Sequence, residues 1–121
     1  MHPTANAVGC RKEIVKDAER PADVVSDLVE AIDIKASGAP VIEHVAQHTP
    51  EVVGYSLVQL IATSDITGHF CDLTGDADID IFSWRSFNPD IAVDVILDRL
   101  GARSVSGTVI MRQAARPQTA A

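Results

Sequence analysis

Gly54-Tyr55-Ser56-Leu57-Val58-Gln59-Leu60-Ile61-Ala62-Thr63-Ser64-Asp65-Ile66-Thr67-Gly68-His69 is the stretch whose reading decides the fold. It contains one apolar, β-prone run, Ser56–Ala62, and the start of a second, Ile66–Cys71, with Thr63-Ser64-Asp65 between them. Such runs, bounded by small polar residues, read as adjacent antiparallel strands. Ser and Asp at the break have an ordinary use, since their side chains bond neighbouring backbone groups in turns. A hydroxyl at the break, with Ser56 upstream and His69 downstream, is also a set able to attack its own backbone. Short motifs discriminate weakly, so spacing by itself favours the turn.

Downstream, Gly75-Asp76 marks a tight turn, and Asp78–Trp84 alternates. Ile79 and Ile81 fall on one face of a strand, and Asp78, Asp80, Phe82 and Trp84 on the other. Asn88 followed by Pro89 is a helix start. Ile91, Val93, Val95, Ile96, Leu97 and Leu100 then supply an apolar face, and Gly101 fits the position just past the helix end. Ser104–Met111 reads as a last strand. Upstream, Pro21 opens a helix whose stripe is Val24, Val25, Leu28, Val29 and Ile32, with Gly38 and Pro40 ending it. Val41–Gln47 reads as a strand leading into His48-Thr49-Pro50-Glu51. Ala7–Val15 is compatible with a first strand, while 1–6 and 114–121 read as loose tails. The order β-α-β-β-β-β-α-β predicts one α+β domain over 1–121. It is a two-layer sandwich with a mostly antiparallel sheet and two helices on one face.

Composition narrows the function. A chain of 121 residues with 46% apolar content holds one modest core. A net charge of −7 argues against nucleic acid or an anionic membrane surface as partner, and suits a cationic ligand. No apolar run approaches the length that spans a bilayer, and no leader-like segment follows Met1. Cys10 and Cys71 form no disulfide framework and match no metal spacing, so the expected compartment is the cytoplasm, with free thiols. His44 and His48 lie four apart without an acidic or Cys partner at ligand spacing, and no metal site is assigned.

Gly54–His69, followed by Asp78-Ile79-Asp80-Ile81-Phe82-Ser83 and the helix-like Pro89–Leu100, resembles the bacterial S-adenosylmethionine decarboxylase family. The likeness runs ungapped from about Gly54 to Gly101, and in pattern back to Val24–Ile34 and Pro40–His48. The family's members are small proenzymes that cleave themselves before an internal serine to make a pyruvoyl cofactor. The resemblance implies cleavage between Thr63 and Ser64, with Ser64 as pyruvoyl precursor and Schiff-base carrier, Ser56 as processing serine and His69 as processing base. It also implies the same two-layer fold, an amine or amino-acid substrate, a role in spermidine biosynthesis, and a homodimer of processed chains. A protein-bound α-ketoacyl group answers a chemical need, because removing CO2 from an α-amino acid leaves an electron pair that requires a sink.

The chain departs from the family pattern at several positions. Thr63 stands where the family has Glu, Asp65 where it has His, and Trp84 where it has a catalytic cysteine. An indole N–H donates hydrogen bonds but is no proton source near neutral pH. Cys71 and Pro50 stand where aromatics stack on adenine, and Leu73 where an acid holds ribose, although Asp72 is adjacent. These changes fall on nucleoside binding and proton donation, and they spare cleavage. Asp65 and Trp84 are expected to contact substrate, and Asp65 would suit a basic one such as ornithine or arginine. Cys71, two residues past His69 on the same strand face, is a candidate replacement acid, although an ordinary buried thiol is the commoner fate of a free Cys. A non-processing relative that works by binding is the remaining alternative.

Overall fold

The structure is a computed structural model that describes residues 1–111. Its elements are β1 (His2–Val8), α1 (Lys12–Val15), α2 (Arg20–Ala31), β2 (Val41–Val45), β3 (Gly54–Ile61), β4 (Ser64–Cys71), β5 (Ala77–Ser83), α3 (Pro89–Leu100) and β6 (Ser104–Ile110). The six strands form one sheet in the order β2-β3-β4-β5-β1-β6. Every pairing is antiparallel.

Alternation along the strands separates two faces. Leu57, Ile61, Ile66, Phe70, Ile79, Ile81, Ala5 and Ala7 point one way and share a single core with Val25, Leu28, Val29, Ile96 and Leu100 of the helices. Leu28, Phe70 and Leu100 are fully excluded from solvent. Side chains of this size stabilise the fold by roughly 1.5–3 kcal/mol each when buried. The opposite face carries no described helix. Rows run across it from strand to strand: Ser56–His69–Asp78–Asn6–Ser106, then Val58–Thr67–Asp80–Thr4–Thr108, then Leu60–Asp65–Phe82.

Local chemistry sets the helix ends. The Asp17 carboxylate accepts from the Glu19 and Arg20 N–H groups at 2.8 and 3.1 Å ahead of α2. Those two bonds hold its pKa below the usual value. Asn88 caps α3 by accepting from the Asp90 N–H at 2.9 Å, and Gly101 closes it at φ +60°. Burial, reinforced by Asp76, pushes the Cys10 thiol up to about 11, so Cys10 is a packed neutral side chain.

Several expectations need correction. Residues 2–6 are not a loose tail, because they lie in β1, hydrogen-bonded between β5 and β6. The segment Ala7–Val15 is not one strand: β1 ends at Val8, Gly9 turns at φ +67°, and Lys12–Val15 is a short helix, which makes three helices where two were expected. The α2 helix stops at Ala31, with Asp33 at φ +56°, well before Gly38. The polar break is also shorter than it reads, since Ile61 pairs with Ser64 and only Ala62-Thr63 form the loop. The tail expected at 114–121 lies outside the described residues.

Candidate active site

The hairpin of β3 and β4 places Ser64 as the first residue of β4, paired with Ile61 on one side and Ser83 on the other. Ser64 has φ +153°, whereas the other non-glycine residues with positive φ, Asp33 and Ala46, lie outside the strands. A residue with a Cβ held there stores about 1–3 kcal/mol of backbone strain. The peptide before it is held from the residue just past β5: the Trp84 N–H donates to the Thr63 carbonyl oxygen at 3.0 Å. Thr63 Oγ1 and Ser83 Oγ are 2.7 Å apart. Ser64 Oγ donates to Asp65 Oδ2 at 3.3 Å. An open pocket of about 450 Å³ lies over this bend, lined by Ile61, Ala62, Thr63, Ser64 and Trp84. Trp84 is 77% exposed, so its indole is free to meet a ligand there.

Ser56 and His69 form a second centre. They face each other across β3 and β4, with Ser56 Oγ 2.9 Å from His69 Nδ1. His69 Nε2 lies 2.8 Å from the Val52 carbonyl oxygen. A carbonyl only accepts, so Nε2 carries the ring hydrogen, and in the neutral ring Nδ1 is the bare acceptor that takes the Ser56 proton. This is a hydroxyl held by a base. It sits five residues along the strand from Ser64, roughly 16 Å at the usual rise per residue.

Within one chain, then, the structure joins Thr63, Ser64, Asp65 and Trp84 at one end of β4 and Ser56 with His69 toward the other. Cys71 lies farther still, seven residues from Ser64 and roughly 23 Å along the strand. Its thiol donates to the Glu51 carbonyl oxygen at 3.5 Å, and bonds from Thr74 lower its pKa. From there it does not reach Ser64 of its own chain. His44 bonds Asp72, Nε2 to Oδ2 at 2.6 Å, and packs against Tyr55. Leu73 is exposed. Among the described residues no group of three or more His, Cys, Asp or Glu side chains is placed to hold a metal, and no helix is long and apolar enough to cross a membrane.

Sequence reading missed Ser83 and the Trp84 N–H. A signal existed for the first, because the alternation of Asp78–Trp84 puts Ser83 on the apolar face with Ile79 and Ile81. No side-chain pattern marks a backbone donor.

Fold and site together define a two-layer α+β protein with one bare sheet face and a pocket built on a strained hairpin serine. The chain belongs to the S-adenosylmethionine decarboxylase family, whose family model matches residues 1–113. The crystal structure of the adenosylmethionine decarboxylase from Aquifex aeolicus VF5 is similar over 95% of each chain, with TM-score 0.72 and 16% identity, a likeness of fold. No curated protein sequence matches the chain. Family membership gives the protein a decarboxylase-like character.

Proposed function

We propose that this protein cleaves itself between Thr63 and Ser64, generates a pyruvoyl group on Ser64, and decarboxylates S-adenosylmethionine in the cytoplasm for spermidine biosynthesis. The observation that carries the reading is Ser64 at φ +153°, directly after a carbonyl already gripped by an N–H donor. Strain in that peptide lowers the cost of breaking it. The Trp84 N–H is aimed at the oxygen on which charge develops when Ser64 Oγ attacks the Thr63 carbonyl carbon. In that step a C–O bond forms, the C–N bond breaks, and the hydroxyl proton ends on the Ser64 nitrogen. A base then removes the Ser64 Cα proton, and the Thr63 carboxylate departs with the Cβ–O electron pair. Water replaces the nitrogen as ammonia.

The hairpin fits the product, since Ser64 borders an open pocket in which the new terminus has room. A pyruvoyl group supplies the electron sink for loss of CO2. The chain's own residues bind and orient: Trp84 offers an aromatic face, and the Asp65 carboxylate neutralises a cationic substrate group. Ser56 and His69 supply the base for processing. Their roughly 16 Å offset from Ser64 favours action from a second copy across the open sheet face. Val41, Val58, Leu60 and Ile110, all exposed on that face, support a homodimer there.

A basic amino acid, ornithine or arginine, is the second reading. Glu43, Asp65, Asp78 and Asp80 share the open face, and no Lys or Arg occurs in any of the six strands.

Intact mass under denaturing conditions tests the cleavage. The expected result is two fragments, 1–63 and 64–121, the second with pyruvate in place of serine, and one uncut chain for Ser64→Ala. An uncut wild-type chain would replace the enzyme with a non-processing binding relative. CO2 release from S-adenosylmethionine, ornithine and arginine then separates the substrates.

A further inference from the structure

We propose that the buried hydroxyl of Ser83 is a positioning group for self-cleavage, holding Thr63 so that its carbonyl presents to Ser64 Oγ. The inference rests on the cleavage reading above. Ser83 ends β5 on its inward, apolar face and is fully buried. A hydroxyl without partners there would be costly, so its bonds can be counted. Ser83 Oγ donates its one hydrogen to the Arg85 carbonyl oxygen at 2.7 Å and accepts from the Arg85 N–H at 3.1 Å. Its hydrogen is thereby used. The remaining 2.7 Å contact, to Thr63 Oγ1, must be Thr63 donating into the last lone pair of Ser83.

The bond therefore has a fixed direction, and it fixes Thr63. A β-branched side chain has few χ1 options, so tying its hydroxyl settles its rotamer. Trp84, the next residue, just past the end of β5, holds the Thr63 carbonyl oxygen through its N–H. The last residue of β5 and the one after it thus hold Thr63 by side chain and by main chain, which restrains the peptide plane before Ser64. Ser83 itself is anchored on its far side, where its backbone N–H donates to the Met1 carbonyl oxygen and its carbonyl accepts from the Met1 amine, each at 2.9 Å. The anchor reaches through β5 to the N-terminus. Thr63 is suited to this arrangement because its short hydroxyl reaches Ser83 from inside a two-residue loop.

The test follows cleavage of freshly translated chain over time, by denaturing mass spectrometry, with and without neutral hydroxylamine to intercept the Ser64 ester. Thr63→Val removes the donor and keeps the shape. It is expected to slow both fragment release and ester trapping roughly tenfold, the effect of one lost hydrogen bond on a barrier. Thr63→Ser is expected to restore the rate. Ser83→Ala should slow cleavage similarly, with the double variant no slower than either single one, as for two residues that share one bond. Because Ser83 is buried, Thr63→Val with an unchanged melting temperature is the deciding variant. Wild-type chain that cleaves while Thr63→Val cleaves equally fast overturns the role of Ser83 alone, as does Thr63→Ser as slow as Thr63→Val. Wild-type chain that stays uncut overturns self-cleavage and this role together.

Discussion

At the scale of single residues, Ser64 carries opposed demands. Its φ of +153° suits glycine, yet the proposed attack on the Thr63 carbonyl needs a nucleophilic side chain, which glycine lacks. Ser64→Gly should remain uncut, like Ser64→Ala, and exceed it in stability by about 1 kcal/mol in urea unfolding, because glycine adopts that φ without a Cβ clash. Equal stability of the two variants would mean that Ser64 is not strained. The sequence singled out Ser56, Ser64 and His69, but not how they are arranged. A three-residue break at Thr63-Ser64-Asp65 would pair Ala62 with Ile66 and set Ser56 opposite Asp72. The actual two-residue loop sets Ser56 opposite His69 and makes the hydroxyl–imidazole bond possible. One residue of register thus decides whether Ser56 and His69 meet.

Among the elements, α3 was readable at both ends, since Asn88, Pro89 and Gly101 are local signals that act through local bonds, but its buried face is Ala92, Ile96 and Leu100, and Ile91 and Leu97, expected on that face, are exposed. Asn88→Ala removes the acceptor for the Asp90 N–H and should cost about 1 kcal/mol, lowering the melting temperature by several degrees. No change on thermal unfolding would mean that water replaces the cap without loss. The β1 strand was not readable. Its inward residues, Pro3, Ala5 and Ala7, lack strand preference, and its order comes from pairing with β5 and β6, whose partner residues lie seventy or more positions away in sequence. The same holds for the Ser83–Thr63 contact, which joins the end of one strand to the loop between two others.

For the whole molecule, the two centres on β4 require a second chain if they are to meet. Ser64→Ala keeps Ser56 and His69 but cannot be cut, while His69→Ala keeps Ser64 and lacks the base. Each alone should stay uncut, and co-expression should yield cleaved His69→Ala chain only, read by mass. His69→Ala that cleaves normally by itself would remove the processing base from the scheme. The order β2-β3-β4-β5-β1-β6 has a consequence for the product of cleavage. Residues 1–63 own β1, β2 and β3, and the piece from Ser64 onward owns β4, β5 and β6, so β1 of the first piece is woven between two strands of the second. The halves cannot slide apart without dismantling the sheet, yet once apart they must find each other by collision. The proposed cleavage would therefore turn a single-chain fold into a two-piece assembly with a memory of its own synthesis. Ser64→Ala should regain its structure from urea at any dilution, and the cut protein should do so only when concentrated.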